Sequence, residues 1–472
     1  MNFSITRAFS QRSLKSHSWL GLLSAVLLYW ICLSGTLAVF SQELTRWEQP
    51  TIEETLEYDA AALQRAYEQV LAEQDQFQGL TTMRLPTVDI PRLYINANGQ
   101  SWYINEDGTL GPPKQHPFTN MIAELHAELH LPHSFGMIVV SVFGALLTAL
   151  ILTGVFAHRR MFKDAFRWRR GGNGQQGEAD LHNRLSVWGL PFHLMIALTG
   201  AYFGLALLMT NFYAETQYKG DEMALFADVF GATPEVESYN GEMDLPRALT
   251  ELKRVAPEAQ PLFITFERPG EADQYLLMGA QHHDKLIYSE QYRFDAMGNY
   301  IDAVGYADGK AGQEAIFSVY RLHFGHFAGE WMKIVYGVLG LALTVICVSG
   351  VNIWLKKRQH QDALNDYWAA IVWGTPMAMT LAALVSLLIG FSATITFWVA
   401  LLLTLIYGGW RKQPQRVTQQ LVTASAIGLV ALVVSHIVTF GVNLSQPAAV
   451  WINGGLLLSA LLLFARLRRI KS

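Results

Sequence analysis

The sequence has only two cysteines in 472 residues, Cys32 and Cys347, and both lie within apolar runs. They cannot supply the disulfide framework of an exported domain, so we interpret them as small apolar packing residues. The sequence also lacks a Gly-rich dinucleotide fingerprint, which argues against a dinucleotide-binding fold of its own. Any chemistry of this chain must therefore depend on other residues.

Charge is scarce as well. Asp, Glu, Lys and Arg make up 16% of the chain, hydrophobic residues make up 51%, and the mean hydropathy is +0.19. This composition argues against an ordinary soluble protein. Eight apolar runs are long enough to cross a hydrocarbon core of roughly 30 Å. The sequence therefore predicts a polytopic α-helical membrane protein.

Lys and Arg are distributed asymmetrically between the predicted loops. The basic clusters lie at 7–15, 159–170, 356–358, 411–416 and 466–471, all on one side of an eight-span topology. By the positive-inside rule both termini are cytoplasmic, and these clusters do not call for a nucleic-acid partner. The first apolar run is too long for a signal peptide and has no convincing cleavage site, so we expect an uncleaved anchor.

A unit of span, small α+β domain and span occurs twice. Each polar segment between spans is acidic, opens with a helix-like stretch and closes with short strands, and the first contains the hairpin signal Asn98-Gly99. The expected parts are a first span 1–40, an outer domain 41–130, a second span 131–158, a basic loop 159–183, a third span 184–209, a second outer domain 210–326, a fourth span 327–357 and a region of four C-terminal spans 366–466.

The spans themselves repeat. Residues 17–35 align without a gap with 182–200, and 144–154 match 340–350. Both halves start on the same side, which predicts a parallel repeat with a pseudo-two-fold axis along the membrane normal. Each of the four spans contains a Ser-Gly or Thr-Gly pair, whose glycines are Gly35, Gly154, Gly200 and Gly350.

Histidines occupy equivalent positions in the two halves. His17 and His182 lie at the cytoplasmic ends of spans one and three. The outer ends of spans two and four carry the other candidates, namely His126, His130, His133, His323 and His326. A two-fold axis brings equivalent residues together, so we expect one histidine pair near each membrane face. Pro132 is expected to break the helix there, which leaves the choice among the outer histidines open.

The four glycines lie at the depths of these pairs. Eighteen helical residues rise about 27 Å, which places Gly35 and Gly200 level with the outer histidines, and Gly154 and Gly350 level with His17 and His182. Small residues beside two imidazoles leave room for a wide, flat macrocycle inside a four-helix bundle. Haem held by two histidines fits this pattern, and without a Cys-x-x-Cys-His motif it would be b-type.

Other interpretations remain open. A histidine at the end of a span can be an interfacial residue, and Ser-Gly or Thr-Gly pairs can serve close helix packing. His126, His130 and His133 could hold a metal ion without haem. His193 and His436 lack a counterpart in the other half, which favours structural roles for them.

Four motifs recur around these histidines: His17, Trp19, Leu20 and Gly21; Leu125, His126 and Gly136; Asp180, Leu181 and His182 leading to Leu190, Pro191 and Phe192; and Leu322, His323, Phe324 and Gly325 with Phe327 and Gly329. On these motifs the chain, over roughly residues 1–360, resembles the PepSY-associated transmembrane proteins, an iron-regulated membrane family that includes bacterial inner-membrane ferrisiderophore reductases.

The resemblance implies two periplasmic PepSY-like domains, b-type haem, and reduction of ferric siderophore in the periplasm. It singles out His126 and His323 as ligands, with His130 and His326 as alternates. We therefore expect two haems, one on His17 and His182 and one on His126 and His323, which would pass electrons to Fe(III).

The partners expected on this interpretation are a ferric siderophore, membrane lipid, and a quinol or separate reductase as electron donor. The alternative is a membrane scaffold or transporter-associated protein, whose PepSY-like domains bind or inhibit a periplasmic partner.

Overall fold

A computed structural model describes residues 6–73, 80–157, 161–166, 174–306, 311–358, 360–441 and 446–471. The chain divides into two compact units. The helical unit contains 1–50, 116–206 and 330–472, and the sheet unit contains 51–115 and 207–329. The basic cluster expected at 159–170 lies largely outside the described residues.

The helical unit is built from twelve described helices. They are α1 (Arg7–Ala38), α2 (Ser41–Glu48), α4 (Pro117–Glu128), α5 (His133–Ala157), α6 (Met161–Ala165), α7 (Gly174–Trp188), α8 (Leu190–Gln217, which extends into the sheet unit), α12 (Glu330–Lys357), α13 (Ala363–Ile389), α14 (Ala393–Arg411), α15 (Pro414–Phe440) and α16 (Pro447–Lys471). The helices α3 and α9 to α11 belong to the sheet unit.

Seven of the described helices are long and apolar enough to cross a membrane, and α7 with α8 would form an eighth, bent span. The prediction of a polytopic membrane protein is therefore confirmed. The break expected before Pro132 is also confirmed, because α4 ends at Glu128 and α5 begins at His133.

The third span departs from the straight helix that the repeat predicted. Its two pieces, Gly174–Trp188 and Leu190–Ala206, meet at an angle of 73°. Pro191 has no backbone N–H, which is tolerated in the first turn of α8 but would break a continuous helix. The equivalent position in α1 is Val26, so α1 stays unbroken.

This bend corrects the depth that we expected for Gly200. The expected depth of Gly200 requires one straight helix from His182 to Gly200, and the helix is bent at Gly189. Gly200 instead lies where α8 packs closely on α5, and its carbonyl accepts a hydrogen bond from Ser141 Oγ at 3.1 Å.

Helix α13 of the C-terminal region packs directly on α1. Tyr29 donates its hydroxyl proton to the Val372 carbonyl at 2.7 Å, and Trp30 Nε1 donates to Thr375 Oγ1 at 3.0 Å. Both acceptors lie in α13, so the C-terminal region shares a buried interface with the first span. It is part of the helical unit and not an independent module.

The described residues of the sheet unit form eight antiparallel strands and four helices. The strands are β1 (Thr81–Arg84), β2 (Tyr94–Ala97), β3 (Gln100–Ile104), β4 (Leu110–Pro113), β5 (Gln260–Glu267), β6 (Tyr275–Gln281), β7 (Glu290–Asp295) and β8 (Tyr300–Ala303). The helices are α3 (Ala60–Glu73), α9 (Glu222–Phe230), α10 (Leu245–Val255) and α11 (Ala311–Phe324). The hairpin predicted at Asn98-Gly99 is confirmed: it joins β2 to β3, and both residues have positive φ.

The two α+β halves share one sheet, which the sequence did not predict. The strand order is β4-β3-β2-β1-β5-β6-β7-β8, and β1 pairs with β5 through Met83 opposite Ile264. This pairing removes one exposed edge from each half. The core lies against α3 and α10, where Tyr67 stacks on Phe266 with ring centroids 3.9 Å apart.

The boundaries of the expected outer domains also differ from those of the sheet unit. The segments at the ends of the expected domain 41–130 form α2 and α4, which belong to the helical unit. Both helices are short and pack their apolar residues against spans, so Leu44 and Leu125 share a core with Phe397 of α14.

Candidate functional site

The structure brings His17 of α1 and His182 of α7 together, as the repeat predicted. The centroids of the two imidazole rings are 6.2 Å apart, and the ring planes make an angle of 83°. Two imidazoles that bind one metal ion from opposite sides through Nε2 have ring centres about 6 Å apart, since a metal–imidazole bond is roughly 2 Å long and the ring centre lies about 1 Å beyond the nitrogen. The separation of this pair is therefore suited to a shared metal ion.

Both rings are oriented by a backbone carbonyl. Nδ1 of His17 donates to the Leu150 carbonyl at 3.0 Å, and Nδ1 of His182 donates to the Ile346 carbonyl at 3.1 Å. Because a carbonyl can only accept, each proton is on Nδ1 and the lone pair is on Nε2. Within the described part of the chain, Nε2 of neither ring has a hydrogen-bond partner. Ligand histidines in metalloproteins commonly donate the N–H of the nitrogen that does not bind the metal to a carbonyl or carboxylate in this way.

A glycine lies against each imidazole. A Cβ at Gly154 would be 3.2 Å from Cε1 of His17, and a Cβ at Gly350 would be 3.4 Å from Cε1 of His182. We expected these glycines to leave space for a macrocycle. The space beside them is occupied by the imidazoles themselves, so the glycines set how closely each histidine approaches the neighbouring helix.

His126 of α4 makes the same arrangement with α1. Its Nδ1 donates to the Ile31 carbonyl at 2.9 Å, and a Cβ at Gly35 would be only 2.5 Å from its Cε1. Burial lowers the pKa of the His126 imidazole, although the bond to Ile31 opposes this shift. A lowered pKa favours the neutral form, which is the form that binds metals.

The start of α4, the helix that carries His126, is fixed by Glu48. The carboxylate at the end of α2 accepts backbone N–H groups of Phe118 and Thr119, both at 2.8 Å. It thereby caps the first turn of α4, whose N–H groups have no partner within the helix. Burial raises the pKa of Glu48, while these hydrogen bonds act in the opposite direction.

The three histidine contacts follow one rule along the sequence. The accepting carbonyl is always four residues before the glycine: Ile31 before Gly35, Leu150 before Gly154 and Ile346 before Gly350. In an α-helix a carbonyl lies beside the residue four positions later, so a glycine there opens the carbonyl to a second donor.

The residue before each glycine uses the same carbonyl. Ser34 donates to Ile31 at 3.2 Å, Thr153 to Leu150 at 3.1 Å and Ser349 to Ile346 at 3.1 Å. In each Ser-Gly or Thr-Gly pair, the hydroxyl bonds to one backbone carbonyl. The glycine leaves space for a histidine to donate to that same carbonyl. The sequence showed the repeated pairs and their spacing, but their relation to the carbonyl became visible only in the structure.

The fourth pair, Thr199-Gly200, lies on α8 beyond the bend. Thr199 donates to the carbonyls of Met195 at 2.8 Å and Ile196 at 3.3 Å, which resembles the other three pairs. His323 belongs to α11 of the sheet unit, where its ring lies 5.6 Å from that of Phe324. A shared site for His126 and His323 stays a prediction.

The alternate outer histidines have other contacts. Nε2 of His130 donates to the Met121 carbonyl at 2.8 Å, and its Nδ1 accepts from Trp398 Nε1 at 2.9 Å, so both ring nitrogens are engaged. His133 bonds to the Glu128 carboxylate. In the sheet unit, the backbone carbonyl of His326 accepts a hydrogen bond from Arg321 Nε at 2.7 Å.

No three of the described His, Cys, Asp and Glu residues come together as a metal ion would require. Both ring nitrogens of His130 are in hydrogen bonds and His133 bonds to Glu128, which argues against a haem-free metal site formed by these two histidines with His126.

Two further buried histidines have structural contacts. His193 directs Nε2 at the Leu339 carbonyl at 3.2 Å, and His436 directs Nε2 at the Trp47 carbonyl at 2.9 Å. His193 also fills the space beside Gly189, since a Cβ there would be 2.3 Å from its ring. It therefore packs against the bend between α7 and α8.

A buried ion pair that the sequence did not predict joins α12 to α2. Lys333, which is 2% exposed in the first turn of α12, lies 2.7 Å from the Glu43 carboxylate of α2. Glu330 is a second, more exposed partner at 3.2 Å. The signal was a lysine within the apolar run of span four, where a charge requires a partner.

Comparison with known proteins places these histidines within a family. A family model described as PepSY-associated TM region matches residues 14–357, which include His17, His126, His182 and His323. An uncharacterized protein of Pseudomonas aeruginosa is 28% identical over 254 residues, which amount to 51% of this chain and 64% of that protein. The match therefore spans slightly less than two thirds of the relative.

Proposed function

Since the chain belongs to the PepSY-associated TM region family, we propose that it is a membrane oxidoreductase that carries electrons to the iron of a ferric siderophore. The observation that supports this proposal most is the His17 and His182 pair, with ring centroids 6.2 Å apart and Nδ1 of each ring directed at a carbonyl. Such a pair would supply the two protein ligands of a b-type haem.

When bound, haem supplies reversible one-electron transfer at a potential set by its ligands and their hydrogen bonds. The residues of this chain have the remaining tasks. His17 and His182 would hold the iron, and the carbonyls of Leu150 and Ile346 keep both imidazoles in the tautomer that presents Nε2. Gly154 and Gly350 allow the approach of the rings to α5 and α12.

A second haem is proposed on His126 and His323. Its support is the repeat, in which His126 makes with Ile31 and Gly35 the contacts that His17 and His182 make with their own glycines. His323 is the equivalent residue of the other half and lies within the portion that matches the family. We place the first pair near the cytoplasmic face and the second near the periplasmic face of a bacterial inner membrane.

The proposed reaction is the transfer of one electron to Fe(III) in its chelate. A siderophore binds Fe(II) far less well than Fe(III), so reduction also releases the iron. The donor would be a quinol or a separate reductase, because the sequence has no dinucleotide fingerprint.

The test begins with protein purified in detergent. We expect a red protein whose Soret band shifts on addition of dithionite, and whose pyridine haemochrome gives about two haems per chain. Adding a ferric siderophore to the reduced protein should reverse the shift and yield Fe(II), which a ferrous chelator traps. A folded, colourless protein would overturn the proposal in favour of a membrane scaffold.

The site is tested by His17→Ala and His182→Ala, each expected to lose one haem. His360→Gln is the matched control, because this histidine is exposed and its partners among the described residues are Arg358 and Asp362. Unchanged haem content in both alanine variants would refute the assignment.

A further inference from the structure

Arg84 lies at the centre of the shared sheet, on the face opposite α3 and α10. It is the last residue of β1, and its direct neighbours across the strands are Tyr94 of β2 and Phe263 of β5. The adjacent residues Met83 and Leu85 point into the core instead. Because side chains alternate along a strand, Arg84, Tyr94 and Phe263 share the opposite face.

The guanidinium of Arg84 has no acidic partner within the described part of the chain. Its NH1 donates to the hydroxyl of Tyr288 at 2.6 Å, and its Nε is buried without a hydrogen-bond partner. Arginines that are partly buried are normally paired with a carboxylate, because a cation that has lost water needs a compensating charge. Among the described residues, no carboxylate therefore balances this positive charge.

Aromatic rings and a second cation surround this charge. The ring of Tyr288 lies nearly parallel to that of Phe263, with an angle of 14° and centroids 6.4 Å apart, and Tyr320 packs 4.6 Å from Tyr288. Nζ of Lys114 lies 3.9 Å above the ring of Tyr94. Lys114 likewise has no ion pair among the described residues.

We propose that Arg84, Lys114, Tyr94 and Tyr288 form a binding site for an anionic aromatic ligand, namely a negatively charged ferric tris-catecholate chelate. The positive charges of Arg84 and Lys114 would attract the negatively charged complex, and the guanidinium and the Tyr288 phenol would donate hydrogen bonds to its catecholate oxygens. The rings of Tyr94 and Tyr288 would pack against its aromatic rings. The surrounding polar segments are acidic overall, so a local cationic site of this kind selects the ligand. This inference rests on the proposed function and specifies its substrate class.

The test uses a gallium(III) tris-catecholate, which has the charge and shape of the ferric complex but is not reduced under the conditions of the assay. Its affinity for the full-length protein in detergent is measured by isothermal titration. A positively charged gallium(III) trihydroxamate serves as the comparison ligand. We expect the catecholate complex to bind at least roughly tenfold more tightly.

Arg84→Gln should weaken catecholate binding by roughly tenfold or more, because it removes a charged donor. Arg84→Lys should retain an intermediate affinity, because it keeps the charge and loses the planar fork. Arg65→Gln is the matched control: Arg65 lies on α3, pairs with Asp59 and is exposed, so it should bind like the wild type.

Equal binding of the two gallium complexes, or wild-type affinity in Arg84→Gln, would overturn the inference. If Arg84→Gln does not fold, Lys114→Gln and Tyr288→Phe must each weaken catecholate binding, and wild-type affinity in both would equally overturn it. Because gallium(III) binding does not depend on electron transfer, a colourless protein that binds the catecholate through Arg84 would refute the proposed reduction and support this site.

Discussion

The hydroxyl of Ser349 lies 3.1 Å from Nδ1 of His182 and donates to the Ile346 carbonyl that also accepts from that imidazole. Two oxygen atoms on one turn of α12 therefore orient one ring. The equivalent hydroxyl of Thr153 is 3.5 Å from Nδ1 of His17, so the hydroxyl contact to His17 is weaker than the one to His182.

Because the two hydroxyl contacts differ in length, removing the hydroxyl of Ser349 or of Thr153 should change the reduction potential of the proposed haem by different amounts. Hydrogen bonding at Nδ1 makes an imidazole a stronger donor to oxidised iron and lowers its reduction potential. Loss of one such bond is worth about 1 kcal/mol, or roughly 40 mV for a one-electron couple. Ser349→Ala should therefore raise the haem potential by up to that amount, and Thr153→Ala should raise it less. Redox titration of the Soret band measures both, and a lowered potential in Ser349→Ala would contradict the argument.

Gly35 and Gly350 should differ in how well they tolerate substitution by alanine. A Cβ at Gly35 would be 2.5 Å from His126, whereas one at Gly350 would be 3.4 Å from His182, an ordinary contact distance. Gly35→Ala should displace His126, cost about 1–3 kcal/mol of stability and reduce the haem content. Gly350→Ala should leave both close to wild type. Thermal unfolding and pyridine haemochrome assays on the two variants test this, and equal behaviour would refute it.

His126 and His130, which both precede Pro132 in the sequence, should differ in the haem content of their glutamine variants. His126→Gln should remove about one haem per chain, because Gln keeps a polar group but not the imidazole ligand. His130→Gln should retain both haems, since the nitrogens of His130 are engaged by Met121 and Trp398. The opposite result, with haem lost only from His130→Gln, would transfer the ligand assignment to His130.

The buried pair of Lys333 and Glu43 gives a fourth prediction. Glu330 at 3.2 Å from Lys333 and Arg46 at 3.4 Å from Glu43 remain when the other member of the pair is removed, so the loss should be part of the roughly 3–5 kcal/mol that a fully isolated buried charge costs. Lys333→Met and Glu43→Gln should each lower the unfolding temperature strongly, and the double variant should be more stable than their summed effects imply. Additive effects in this double-mutant cycle would show that the two residues do not interact. Lys253→Met, at an exposed position of α10 in the sheet unit, is the control for loss of a lysine.

Hydropathy was sufficient to predict the spans, because length and apolar content are local properties. The pairing of His17 with His182 was also predictable, since a repeat imposes symmetry without knowledge of contacts. The bend at Gly189 does not follow from the ungapped alignment of span three with α1, in which Pro191 stands opposite Val26.

The remaining differences depend on contacts between distant parts of the chain. The pairing of β1 with β5 joins residues far apart in sequence, and nothing local distinguishes an edge strand that pairs from one that stays exposed. The carbonyls of Ile31, Leu150 and Ile346 carry no sequence signal of their own, because every residue has one.

The seam between β1 and β5 also bears on how such a chain could have arisen. A protein with a single repeat would leave the edge of its four-stranded sheet unpaired, and a second copy could close that edge in the same antiparallel manner. Gene fusion would then have converted a homodimer interface into an intrachain one, after which the two halves were free to diverge at positions such as Val26 and Pro191.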